Sequence, residues 1–524
     1  MNSTDIDSSP AAARAAAPGT EPVRTHIRGS SLLLIGRQIS LLLNLAVQVL
    51  TVRYLAKTEY GAFAYALAFV APGANAIALG LGRAMSRFLP IYEERDEHAK
   101  IVGAILLSVG TILLLGAVVI LSIFGLQNVL VESRGADPLA ASLLLILVVL
   151  CPTQALENLF SVLLAVFAGA RAIFFRRHIL GPCLKLIVVL LLIGAHADVR
   201  FLAFGYVIAG LLGASTSAVL LIRIFRDKGL LKRSFLRRSS VPWKEVFSFS
   251  LPLLSFDLTL ALRNFITVVV LQYFHALEAV AVFRAVLPIA RLNEVVTESF
   301  RLLFTPAAAR FFARDDGSSM EELYWQTAAW VSLLSFPIFA VTYFIAEPLS
   351  VFLFGKAYAG AGSVLAILSL AYYFHAAMGF NSLTLRVFGN VRSIVTIDLA
   401  TASISLVLTA LVVPFYGAVG AALAMGGTLV IQTVLYHWAL SRVTGISILP
   451  LRYRRAYTTV LLAIVSLQVV QLVVTVPLVP GLGLASIASL LVFWLNRDLL
   501  DIQRTFPEIL RVPFMRQLLG APGR

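Results

Sequence analysis

Fourteen mostly apolar stretches follow one another along this chain, and that repetition constrains everything else it can do. They run at roughly 29–52, 61–82, 101–125, 139–168, 179–197, 201–222, 246–272, 278–304, 324–345, 358–385, 393–414, 417–440, 456–477 and 479–496. A helix needs about 20 apolar residues to cross the hydrocarbon of a bilayer. In that solvent each backbone amide and carbonyl must find its partner inside the protein, which favours helices. The reading is an all-α polytopic membrane protein with fourteen transmembrane helices. Composition agrees: 59% of the 524 residues are hydrophobic and only 13% are charged. A typical soluble domain has about 25% charged residues, and a disordered chain has too little apolar surface rather than too much. The fourth stretch contains Pro152 and is expected to kink or partly unwind.

The net charge of +15 would suggest a nucleic-acid partner in a soluble chain. In a polytopic protein the simpler source is the excess of Lys and Arg in cytoplasmic loops, so no nucleic acid is expected. With the N-terminus inside, only Arg53, Lys57, Arg134, Arg200 and Lys356 fall in outer loops, and Arg37, Lys185, Arg263, Arg284 and Arg291 fall within spans. The rest of the 42 cations then lie on the cytoplasmic side, with both termini there. Residues 1–28 read as a disordered cytoplasmic tail without a signal peptide. The densest basic run is Arg223, Arg226, Lys228, Lys232, Arg233, Arg237, Arg238 and Lys244, between the sixth and seventh spans. It marks a linker (226–245) between an N-lobe at 29–225 and a C-lobe at 246–442. Two extra spans (443–496) and a C-terminal tail (497–524) follow. Cys151 and Cys183 both lie in apolar segments and read as packing residues.

A shift of 219 or 220 residues brings the lobes into register. Tyr54-Leu55-Ala56-Lys57-Thr58-Glu59 falls on Tyr273-Phe274-His275-Ala276-Leu277-Glu278, and Arg95-Asp96 falls on Asp315-Asp316. Six is even, so the two copies share an orientation. Such a parallel repeat places a substrate site near mid-membrane where the halves meet.

The stretch GRQISLLLNLAVQVLTVRYLAKTEYGAFAYALAF (36–69) resembles the opening of the polysaccharide-transporter branch of the MOP flippase superfamily. LPLLSFDLTLALRN (251–264), AEPLSVFLFGKAYAGAGSVLAILSLAYYF (346–374) and PFYGAVGAALA (414–424) are similar to later signatures of that branch, which includes the O-antigen and oligosaccharide flippases. The resemblance covers about residues 30–442. It implies two six-helix lobes around a cavity that opens alternately to each side. It also implies a cargo of oligosaccharide on polyprenyl diphosphate, moved across the cytoplasmic membrane for surface polysaccharide assembly alongside other assembly proteins.

The charges inside the spans bear on the cargo independently. A charged side chain at mid-bilayer costs about 2.5–3.5 kcal/mol, so such groups face a wet cavity, pair, or snorkel. Arg284, Arg291 and Glu298 recur every seven residues in the eighth span, with Glu294 close to the same line. Pro288 lies in this stripe and is a candidate hinge. Asp257 and Asn264 share a face of the seventh span beside Arg263. The site expectation is a cationic cavity of Arg37, Lys185, Arg263, Arg284 and Arg291, whose forked donors suit phosphate. The competing reading is a set of buried pairs such as Arg291–Glu294 or Arg263–Asp257, with Lys185 snorkelling. Glu157, Asp257, Glu294 and Glu298 are the candidate groups for ion coupling, or for pairing. Arg83 reads as an interfacial anchor.

Other classes fit less well. A glycan polymerase or ligase needs acids or bases on a sizeable outer loop, and the longest outer loop, about 126–138, has only Glu132 and Asp137. A cation-coupled drug exporter of the same superfamily needs an acidic pocket, and the first span carries Arg37 instead. No GxxxxGK[ST] is present, and neither a cofactor nor a metal is expected.

Overall fold

The computed structural model describes residues 20–125, 137–168, 174–229 and 240–500, and among these there is no strand. The N-lobe comprises α1 (Thr20–Tyr54), α2 (Lys57–Ala68), α3 (Val70–Ala78), α4 (Leu81–Glu94), α5 (His98–Gly125), α6 (Pro138–Leu147), α7 (Leu150–Phe167), a π-helical turn at Phe174–Leu180, α8 (Gly181–Gly194) and α9 (Val199–Asp227). The C-lobe comprises α10 (Trp243–Ala290), a 3-10 turn at Arg291–Glu294, α11 (Val295–Ala313), α12 (Gly317–Phe344), α13 (Ala346–Phe354), α14 (Ala361–Ala377), α15 (Asn381–Val387) and α16 (Val391–Thr444). Then come α17 (Leu451–Val473) and α18 (Leu478–Leu495), packed on α12. The first helix begins at Thr20, so it takes in the end of the stretch read as a tail. Most of the basic linker, and the tails at 1–19 and 501–524, lie outside the described residues.

Among the described residues twelve helices are long and apolar enough to cross a membrane. Two of them carry a residue with non-helical backbone, Ala276 in α10 and Gly417 in α16. Both breaks fall where the hydropathy pattern leaves a gap between spans. A break strands the carbonyls of the preceding turn, which then need other donors. At Gly417 the stranded groups are Val413 and Pro414, and His275 Nε2 lies 2.9 and 3.0 Å from their oxygens. In the N-lobe Tyr54 Oη donates to the Ala197 carbonyl at the same end of the bundle. The predicted kink of the fourth span is present between α6 and α7. Pro152 has no N–H for the Val148 carbonyl four residues back, and that carbonyl accepts from Cys151 N instead.

The repeat extends to individual hydrogen bonds. Asp96 and Asp315, 219 positions apart, are left-handed with φ of 54° and 55°. Asp96 N donates to Glu93 O and Glu97 N to Tyr92 O, while Asp315 N donates to Phe312 O and Asp316 N to Phe311 O. This is the same helix-closing motif at equivalent places in the two lobes.

The lobes meet along their length. At the end bearing Lys57, its ammonium lies 4.0 Å from Glu278, Arg53 donates to the Phe352 carbonyl, and Gly61 lies against the Leu277 backbone. At the opposite end Arg37 pairs with Glu298 at 2.8 Å.

Candidate functional site

Pro288 explains the centre of the site. Its ring nitrogen cannot donate to the Arg284 carbonyl, which would otherwise be its helical partner. That carbonyl is instead reached by Gln48 Nε2 of α1, at 3.3 Å, and the same amide donates to Tyr60 Oη at 2.6 Å. The proline thus supplies a contact between the lobes. Just beyond it the helix tightens into the 3-10 turn at Arg291–Glu294, where Asn293 Nδ2 caps the Ala290 carbonyl. Around this irregular stretch lies a cavity of about 200 Å³, lined by Gln48, Thr51, Tyr60, Leu287, Arg284 and Arg291 among others. Arg291 Nε donates to Tyr372 Oη at 3.0 Å.

A second cavity, about 250 Å³, lies within the N-lobe and shares Leu67 and Tyr206 with the first. Its charged lining is Glu157, Arg176, Arg177 and Lys185, and its neutral polar lining includes Ser40, Asn44 and Gln154. Arg176 is buried and pairs with Glu157 at 2.7 Å, with a further bond from Nη1 to Ser161 Oγ. Lys185 is exposed by area yet lines this chamber, with its ammonium 5.6 Å from the Tyr206 ring centroid. A cation that stays accessible inside a bundle faces an open chamber.

The structure therefore brings Arg284 and Arg291 to one cavity and Lys185 to the adjoining one. Arg37 lies at the Glu298 latch, and Glu298 also accepts from Arg301 at 3.3 Å. Glu294 lies in the field of Arg291, Glu298 and Arg37. Arg263 is half-buried, feels Tyr372, Asp398 and Arg291, and its Nε has no hydrogen-bond partner. Among the described residues Arg291 forms no ion pair with Glu294, because Tyr372 holds its guanidinium. Asp257 sits on α10, but its side chain lies outside the described residues. Arg83 lines a separate polar cavity with Asn75 and Asn158.

Two groups escaped the sequence reading. Arg176 was assigned to a loop, but the π-helical turn carries it into the bundle; the run RRH gave no sign of which cation would turn inward. Asp398 lies inside the eleventh span and needed only to be counted. It accepts from Tyr436 Oη and from Gln432 Nε2 at 2.8 Å.

The family described as polysaccharide biosynthesis protein matches residues 27–299, just over half of the chain. The chain belongs to that family. Among solved structures, its fold is similar to an inward-facing multidrug resistance MATE family transporter of the MOP superfamily, at 18% identity and a TM-score of 0.62. That match covers 78% of this chain and 95% of the other. It is also similar to the lipid II flippase MurJ in an inward closed conformation, with 16% identity and a TM-score of 0.56, over 90% of this chain and 100% of that one. A third likeness is to a MOP superfamily transporter from Pyrococcus furiosus, with 16% identity and a TM-score of 0.52, over 81% and 96%. No curated protein matches. This member of the polysaccharide biosynthesis family is a multi-pass membrane transporter of the flippase type, not an enzyme, and its fold is that of the MOP superfamily.

Proposed function

We propose that the protein flips a polyprenyl-diphosphate-linked oligosaccharide across the cytoplasmic membrane, by alternating access between lobes that make fourteen crossings with both termini inside. The observation that supports this reading is the charge of the adjoining cavities. They are lined by five cations, Arg176, Arg177, Lys185, Arg284 and Arg291, and by one carboxylate, Glu157. Such a surplus in a site walled off from water selects an anion, and Arg in particular suits phosphate oxygens. A cationic drug would meet the wrong sign. The headgroup would sit among the cations while the polyprenyl chain stays in the bilayer. Occupancy drives closure only to the extent that diphosphate binds the closed cavity better than the open one. Pro288 and the turn after it are the hinge in this reading, and Asp257, Asp398, Glu157, Glu294 and Glu298 are the groups available for ion coupling.

The test is transbilayer movement of a polyprenyl-diphosphate oligosaccharide in proteoliposomes, with wild type and variants reconstituted to equal density. Arg291→Ala and Arg263→Ala should each lower the rate at least tenfold while insertion is unchanged, and Arg291→Lys should recover part of it. Wild-type rates in both Ala variants would remove these arginines from the site.

A further inference from the structure

Charge bookkeeping in the two cavities goes further than the flippase reading, on which it rests. A diphosphate esterified at both ends carries about two negative charges, and Arg284 and Arg291 beside the first cavity already offer two cations. In the second cavity Arg176 is matched by Glu157 at 2.7 Å. Arg177 and Lys185 are then left over: both line that chamber, and neither forms an ion pair with any described residue. The chamber also presents Ser40, Asn44, Gln154 and Tyr206, neutral groups that can exchange hydrogen bonds with sugar hydroxyls. Two unmatched cations inside a membrane bundle are costly unless a ligand neutralises them. The cavities adjoin at Leu67 and Tyr206, so a group in one is continuous with a group in the other.

We propose that the N-lobe chamber is a subsite for an acidic sugar. The cargo carries a carboxylate on a sugar close to the diphosphate; Lys185 and Arg177 bind that carboxylate, and Arg284 and Arg291 bind the phosphates. The subsite selects among lipid-linked glycans: a neutral glycan leaves two buried cations unsatisfied, which penalises the wrong cargo as well as favouring the right one.

The experiment compares two synthetic probes on the full chain in phosphatidylcholine nanodiscs, one polyprenyl diphosphate bearing glucuronic acid and the same carrier bearing glucose. Wild type should bind the uronate probe about tenfold more tightly. In Lys185→Met the ratio of the two Kd values should fall to about one, and in Lys185→Arg it should persist, which separates the charge from a general loss of packing. Arg284→Gln should weaken both probes by a similar factor and leave the ratio intact. Equal binding of the probes by wild type, or a ratio that survives in Lys185→Met, overturns the subsite and leaves the flippase reading standing. Binding of neither probe would bring both down. A final arm adds phosphatidylglycerol to the discs: if it abolishes the preference, the chamber is a site for anionic lipid and the acidic-sugar assignment is wrong.

Discussion

Removing one member of the Arg176–Glu157 pair should do more harm than removing both. Arg176 is buried, donates to Glu157 and to Ser161 Oγ, and Gly213 leaves the carboxylate a close-fitting seat. Breaking a buried pair by deleting one partner typically costs about 3–5 kcal/mol, because the survivor is an uncompensated charge, whereas replacing both is often close to neutral. Glu157→Gln should therefore lower the melting temperature in detergent clearly, and Glu157→Gln with Arg176→Met should recover most of the loss. If the double variant melts no higher than the single one, the pair has no such role. At this scale the sequence was only partly informative. Arg284, Arg291 and Lys185 stood out because a charge in an apolar run has few explanations. Arg176 did not, since a run of basic residues between two spans reads as an ordinary loop. Its inward turn depends on a local π-helical winding that hydropathy does not encode.

Among the elements, α10 and its continuation carry most of the irregular backbone, and each irregularity has a consequence that can be measured. Ala276 has φ of 61° and ψ of −179°, a region essentially reserved for glycine that costs other residues about 1–3 kcal/mol. Ala276→Gly should therefore raise the melting temperature, unless the more flexible chain offsets the gain, in which case no rise is seen and the strain is absent. Pro288 makes a second prediction. Pro288→Ala restores an N–H for the Arg284 carbonyl, straightens the helix and competes with Gln48 for that oxygen. The variant should insert and fold, yet transport at least several-fold more slowly; unchanged transport would show that the bend is not used. The helices themselves were legible from apolar length, and so was the kink before Pro152. The break at Ala276 showed only as a gap between two apolar runs, because alanine gives no local signal for a left-handed backbone. Its geometry is imposed by the packing of α10 on α16 and α2.

For the whole molecule, the question is which contacts must part for a headgroup to leave. The repeat was readable as a 219-residue register, and Asp96 and Asp315 bear it out in backbone detail. How the lobes seat on each other was not readable, because Gln48–Arg284, Arg37–Glu298 and Gly61–Leu277 join residues more than 200 positions apart. Gly61 is the sharpest of these contacts. A Cβ there would lie 2.1 Å from the Leu277 carbonyl oxygen, so even alanine forces the lobes to separate at the Lys57 end or shift locally. Bistable packing converts such a small intrusion into a change of state. Thr51, buried in the cavity just inside this seal, reports on it. In a background lacking Cys151 and Cys183, Thr51→Cys should react slowly with a membrane-impermeant thiol reagent added from the Lys57 side. Adding Gly61→Ala should speed that reaction about tenfold, and Gly61→Leu at least as much. The opposite latch supplies the control: Glu298→Gln loosens the Arg37 end, and in a two-state molecule it should slow labelling from the Lys57 side rather than speed it. Faster labelling in both variants would mean the lobes simply loosen, and alternating access between these two seals would be the wrong description.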